Sequence, residues 1–153
     1  MTKTARLLGS VALLAACGRA IATSSVSESQ LAPPDALKCV IDQFQQLKFQ
    51  RTSYDTDEFR ASARRVNPKI TFSNVQFRRT WDRLDVQIRT GAKGTDLNVT
   101  ASTVAEYFSQ NAQNYNYLPP TDDVKQAAQT VQRACSSAAP AAATPAATTP
   151  APQ

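Results

Sequence analysis

The sequence contains no histidine among its 153 residues. Without histidine the chain cannot form Ser-His-Asp or Cys-His catalytic groups, and it lacks a side chain that most zinc sites use. Glycine is scarce as well, with four residues in the whole chain, and no G-x-S-x-G, P-loop or dinucleotide-binding fingerprint occurs. We therefore expect neither a metal nor a cofactor.

Paired carboxylates remain as a route to acid–base catalysis, because glycosidases use two of them. Asp55, Asp57 and Glu58 are close together in one turn, and Asp82 and Asp85 lie at the start of a strand. Both groups stand among arginines or solvating residues, which favours capping and ion pairing over catalysis. We predict that the protein is not an enzyme and that it has no catalytic residue.

The N-terminus has the pattern of an export signal. Lys3 and Arg6 precede an uncharged run at 7–16, which is about half the length that a membrane-spanning helix needs. The run ends in Leu14-Ala15-Ala16-Cys17, which resembles the lipobox of bacterial lipoproteins: a leucine, two small residues and a cysteine. The resemblance implies cleavage before Cys17 and a membrane anchor made of diacylglycerol and a further acyl chain such as palmitate.

Two details bear on where such a protein would lie. Gly18 follows the cysteine, which by the same resemblance implies the outer membrane, facing the periplasm, in a cell with two membranes. Alternatively, Ala20-Ile21-Ala22 is an A-x-A cleavage site, and cleavage after Ala22 would release a soluble secreted protein.

Composition divides the chain into four parts. Residues 1–16 are the predicted signal peptide, and the Ser/Ala-rich residues 17–34 predict a lipidated, flexible tether. Residues 137–153 have no charge and no large apolar side chain, which predicts a disordered Ala/Pro/Thr tail. Residues 35–136 are enough for one small domain with a single core.

Cys39 and Cys135 stand near the two ends of that domain. In an oxidising compartment an even pair predicts a disulfide, and two free buried thiols are the alternative. Closing a loop of 96 positions should stabilise the fold by roughly 4–5 kcal/mol. The bridge would hold the first and last elements of the domain side by side.

Two terminal helices are predicted, at about 34–47 and 121–136. Apolar residues recur at helical spacing in the first helix: Leu37, Val40, Ile41, Phe44 and Leu47. In the second, Thr121 stands at the N-cap position, and four residues share one face: Val124, Ala128, Val131 and Cys135.

The middle of the domain is predicted to be β-strand. Residues 84–88 alternate between apolar and polar, and the two glycines of TGAKGT predict a hairpin into a second alternating strand at 97–101. Three alternatives stay open: a helix over 58–66, a helix from Thr103 in place of strand over 102–112, and an extended stretch or an excursion at 67–77.

The order of elements predicts an α+β fold. We expect an antiparallel sheet of four to five strands packed on the two helices, with its other face open. Over residues 35–136 the chain resembles small bacterial envelope lipoproteins of this shape, and this resemblance implies a fold more than a function.

Nine basic residues lie between positions 60 and 93, against Asp82 and Asp85, and the only tryptophan lies among them. One interpretation is a solvated sheet face whose arginine stems cover apolar surface, with Trp81 in the core. The other is a basic, aromatic face that contacts an anionic ligand or surface. Its residues would be Arg78, Arg79, Trp81, Arg83 and Arg89.

The leading functional hypothesis is a lipid-anchored cell-envelope protein with a non-enzymatic interaction or structural role. A binding module for an anionic ligand is the second hypothesis, and a secreted protein is the third. Its partners would be the membrane, through the lipid, and an anionic envelope polymer or another envelope protein. Nucleic acid is not expected, because loss of residues 1–16 leaves 15 basic residues against 12 acidic ones.

Overall fold

The computed structural model describes residues 20–92 and 94–137. Its elements are β1 (Ala22–Ser29), α1 (Pro33–Gln46), β2 (Gln50–Asp55), β3 (Arg60–Val66), β4 (Phe77–Gly91), β5 (Gly94–Ser109), β6 (Ala112–Leu118) and α2 (Asp122–Ser137). The α+β prediction and both terminal helices are confirmed. The signal peptide, Cys17 and the tail from residue 138 lie outside the described residues, so they stay predictions.

The six strands form one antiparallel sheet in the order β1-β5-β4-β3-β2, and β6 also pairs with β5. β6 pairs with residues 103–109 of β5 and β1 with residues 95–102, so these two strands lie end to end along one edge. The predicted hairpin joins β4 to β5, where Gly91 is opposite Gly94. A side chain at Gly94, whose φ is 149°, would approach the Ser29 carbonyl to 3.1 Å.

Both helices pack against the same face of the sheet and form the core. The predicted stripe of α1 is confirmed, since Leu37, Val40 and Phe44 are buried against Leu84, Val86 and Ile88 of β4 and Leu97 and Val99 of β5. The predicted face of α2 is buried as well, and neither described helix is long and apolar enough to cross a membrane.

The predicted disulfide between Cys39 and Cys135 is present, with the two Cα atoms 5.8 Å apart. It joins α1 to α2, so the first helix of the predicted domain and the last one lie side by side. Cys135 is fully buried, while Cys39 is partly buried at the edge of the core.

The structure decides the three alternatives that the sequence left open. Residues 58–66 contribute β3 rather than a helix, and β5 continues as a strand to Ser109 without a helix at Thr103. Residues 67–76 are an excursion between β3 and β4. Pairing decides these cases, because β3 and the second half of β5 each lie between two other strands.

The flexible-tether prediction is wrong for residues 22–29, which form β1 and add the sixth strand to the sheet. The serines of β1 carry no apolar alternation, so nothing local indicated a strand. Hydrogen bonds hold it: backbone pairing with β5, and side-chain bonds to α2 from Ser25 to Gln132 and from Ser29 to the Cys135 carbonyl.

Candidate binding site on the open face of the sheet

The side of the sheet opposite the helices is the open face. Strand alternation in β4 buries every second residue against the helices and turns the residues between them to this face. Arg79, Trp81, Arg83 and Arg89, four of the five predicted site residues, therefore share one face. The fifth, Arg78, lies at a register shift between Phe77 and Arg79.

Trp81 lies at the centre of the open face and is half-buried rather than part of the core. Its neighbours across the sheet are Val66 on β3 and Val104 on β5. The guanidinium groups of Arg64 and Arg79 lie 4.1 Å and 5.4 Å from the centre of its ring. Such cation–π contacts contribute about 0.5–1 kcal/mol each at exposed sites.

Arg64 on β3 is a site residue that the sequence prediction missed. It lies directly across from Arg83 in the β3–β4 register. Its Nε is buried without a hydrogen-bond partner in the described part of the chain, and none of the ion pairs found there includes it. Like charges placed directly opposite one another destabilise a sheet. An anion beside Arg64 and Arg83 would offset their repulsion and accept hydrogen bonds from them.

The other two arginines near Trp81 have carboxylate partners. Arg83 donates through Nε and Nη2 to Asp85 Oδ1, at 3.1 Å and 2.8 Å. This hydrogen bond and the Asp85 charge raise the pKa of Arg83, although burial opposes the shift. Arg79 lies 3.5 Å from Glu106.

Glu106 on β5 orients the tryptophan. Trp81 Nε1 donates to Glu106 Oε2 at 2.6 Å, and Gln113 on β6 donates to the other oxygen. Burial raises the pKa of Glu106, but these two hydrogen bonds and the charges of Arg79 and Arg64 together lower it below its ordinary value. Glu106 is therefore a carboxylate that holds the indole ring in place.

A concave pocket of about 310 Å³, which we name the aromatic groove, opens beside this cluster. Tyr115 and Tyr117, at 51% and 50% exposure, supply two further rings from β6. The residues that line the groove are Thr52, Ser53, Ser62, Arg64, Trp81, Arg83, Val104, Tyr115 and Tyr117.

The structure does not bring two of the predicted residues into this groove. The Arg78 guanidinium lies over the Phe108 ring, 5.6 Å from its centre. Arg89 is eight positions along β4 from Trp81 and donates to Gln87 Oε1 at 2.9 Å. The Tyr-Asn-Tyr pattern at 115–117 was the signal that sequence reasoning missed. It indicates a strand with two tyrosines on one face, which is how β6 contributes to the groove.

The carboxylates that could have formed a catalytic pair have structural contacts. Asp55 Oδ1 accepts hydrogen bonds from the backbone N–H groups of Asp57 and Glu58, both at 2.9 Å, which is the predicted capping role. Asp82 is buried on the helix side of the sheet, away from Asp85. In the described part of the chain, no group of three or more acidic or cysteine side chains is placed to hold a metal ion.

No protein-family model matches the chain, and no curated protein matches it. A solved structure that is similar to it is that of Ara h 8.0201, with a TM-score of 0.45 and 13% sequence identity. The match covers 75% of this chain and 94% of that one.

Proposed function

We propose that this protein is a lipid-anchored cell-envelope protein that binds a ligand with an anionic group in the aromatic groove, without catalysing a reaction. The supporting observation is the placement of Arg64, a cation without an ion-pair partner in the described part of the chain, across from Arg83 and against the ring of Trp81. A carboxylate or phosphate between the two guanidinium groups would accept charge-assisted hydrogen bonds and relieve their repulsion.

The anchor in this proposal is Cys17, in the outer membrane and facing the periplasm. β1 begins at Ala22, five positions after Cys17, so the connection spans at most about 17 Å. A domain tied this closely would meet anionic material of the envelope at a high effective concentration. Cleavage after Ala22, the alternative that gives a secreted protein, would remove the first residue of β1, whereas cleavage before Cys17 leaves the strand whole.

Metabolic labelling with palmitate tests the anchor. We expect label in the mature protein, a modified N-terminal residue at position 17 by mass spectrometry, and loss of the label in the Cys17→Ser variant. An unlabelled mature protein that begins at Thr23 would contradict the anchor and support secretion.

Binding is tested with the full chain carrying Cys17→Ser, so that acyl chains do not contribute. Polygalacturonate and phosphatidylglycerol vesicles are the anionic probes, and dextran and phosphatidylcholine vesicles are the neutral controls. We expect at least one anionic probe to bind and binding to weaken at high salt. Arg64→Ala and Arg83→Ala should each weaken it about tenfold or more, because hydrogen bonds to charged groups contribute about 1.5–3 kcal/mol.

Arg89→Ala is the matched control, since this residue lies on the same face but outside the aromatic groove. It should bind within about twofold of the parent protein. Equal binding by Arg64→Ala and the parent, or no binding of either anionic probe above its neutral control, would overturn the proposal.

A further inference from the structure

A second pocket on the open face continues from the aromatic groove. It has a volume of about 600 Å³ and shares Ser53 and Ser62 with the first pocket. We name it the polar groove, because side chains such as Asp85, Gln87 and Asn98 line it. The two grooves together form one continuous surface with an aromatic, basic end and a polar end.

The sheet register places the two ends in line. Trp81 and Arg83 of β4 line the aromatic groove, and Asp85 and Gln87 follow on the same strand and the same face in the polar groove. At about 3.3 Å per residue, Trp81 and Gln87 are about 20 Å apart. A ligand that contacts both ends is therefore longer than a single ring.

The polar groove offers hydroxyl, amide and carboxylate groups at short intervals. Asn98 lies directly across from Gln87, and Thr100 directly across from Asp85. Amides both donate and accept hydrogen bonds, carboxylates accept them, and hydroxyls do both. This combination suits a ligand that presents many hydroxyl groups along its length.

We infer that the open face binds an acidic glycan, with an anionic sugar in the aromatic groove and hydroxylated neighbouring sugars in the polar groove. The inference rests on the proposed function and names its ligand class. Aromatic side chains have an apolar body and, in Trp and Tyr, a polar tip. The half-exposed Tyr115 and Tyr117 rings can therefore stack on the apolar face of a sugar ring. Arg64, which lies over the Trp81 ring, and Arg83 would bind its acid group.

Other ligand classes fit the polar groove less well. Asp55, Glu58 and Asp85 line it against one cation, Arg60, which is paired with Glu58 at 3.0 Å, so a densely charged polyphosphate would be repelled. An acyl chain would find few apolar contacts, because the lining has only Tyr54 and the buried Val86.

A peptide that adds a strand requires an unpaired strand edge. Within the grooves, β3, β4 and β5 are each paired on both sides. β2, which contributes Ser53 and Tyr54 to the lining, is an edge strand paired only with β3, and a peptide added to its free edge would extend the sheet sideways instead of filling the grooves. A ligand that lies within the grooves is therefore recognised by side chains.

Isothermal titration of the Cys17→Ser full chain tests the inference. The probes are hyaluronan and unsulfated chondroitin tetrasaccharides, in which acidic and neutral sugars alternate, neutral maltotetraose, and glucuronate monomer, the monomer being measured by competition. We expect at least one acidic tetrasaccharide to bind at least tenfold more tightly than the monomer and than maltotetraose. Gln87→Ala and Asn98→Ala should each weaken the tetrasaccharide about threefold to tenfold and leave the monomer unchanged.

Arg64→Ala should weaken the monomer and the tetrasaccharide alike, and circular dichroism shows whether each variant is folded. Equal affinity for monomer and acidic tetrasaccharides, or unchanged tetrasaccharide binding in Gln87→Ala and Asn98→Ala, would overturn the glycan inference. Arg64-dependent binding to phosphatidylglycerol vesicles without glycan binding would also overturn it but would leave the proposed function intact. If Arg64→Ala bound every anionic probe as tightly as the parent protein, the proposed function itself would be overturned.

Discussion

The buried carboxylate of Asp82 should contribute strongly to the stability of the fold, because of the contacts that it makes. Its side chain is 1% exposed, and its carboxylate accepts hydrogen bonds from Asn67 at 3.1 Å and 3.2 Å, Thr103 at 3.1 Å and Thr121 at 3.0 Å. Arg65 lies 3.7 Å away. One buried carboxylate thus joins β4 to β5, to the loop after β3 and to the start of α2.

Replacing Asp82 by alanine leaves these donors and the Arg65 charge without their acceptor. Each buried donor left without an acceptor costs about 1–3 kcal/mol, and Asn67 and Thr103 are two such donors. The loss should therefore be about 2–6 kcal/mol, a large part of the roughly 5–15 kcal/mol by which small domains are stable. At about 4 °C per kcal/mol for a domain of this size, the melting temperature should fall by at least about 8 °C. Asp82→Asn keeps the volume and one acceptor oxygen, so we expect about half of that loss.

Urea denaturation followed by far-UV circular dichroism measures the change in the free energy of unfolding. Asp85→Ala is the control, because it removes a carboxylate from the same strand, but one whose side chain is 35% exposed. It should lower the free energy of unfolding by less than about 1 kcal/mol. A loss of stability in Asp82→Ala no larger than that in Asp85→Ala would contradict this prediction. If Asp82→Ala does not fold, the comparison of Asp82→Asn with Asp85→Asn decides in the same way.

Three further predictions concern stability in urea. The Cys39→Ser/Cys135→Ser double variant should lose roughly 4–5 kcal/mol, and an unchanged midpoint would contradict this. Because folding lowers the pKa of Glu106, its carboxylate stabilises the fold at pH values above its ordinary pKa of 4.5, and this stabilisation is lost as the pH falls through the folded pKa. The difference in the free energy of unfolding between the parent protein and Glu106→Gln should therefore shrink in acid. A difference that stays constant with pH would contradict this prediction. Ser29→Ala removes a buried hydrogen bond of 2.6 Å to the Cys135 carbonyl of α2 and should lower the free energy of unfolding by about 1–2 kcal/mol. Ser24→Ala removes an exposed hydrogen bond and should lower it by less than about 0.5 kcal/mol. Equal losses would contradict the stabilising contact between β1 and α2.

The candidate site was predictable only in part. Alternation in β4 placed Arg79, Trp81 and Arg83 on one face, because the side chains of a strand have a period of two. Arg64 was not predictable, because its contact with Trp81 depends on the register between β3 and β4, which no local pattern encodes. Arg89 fell outside the groove because eight residues of strand separate it from Trp81 by about 26 Å.

The sequence by itself determined the two helices, the hairpin that joins the alternating segments 84–88 and 97–101, and the partners of the disulfide. Apolar spacing and turn glycines are properties that a segment carries wherever it lies, and the domain has only two cysteines to pair. Only the tertiary structure decided that residues 22–29 are a strand and that Arg64, Trp81 and Tyr117 line one groove. The physical reason is that the hydrogen bonds of β1 and the contacts of the groove join residues far apart in the chain, so they exist only once the sheet has formed.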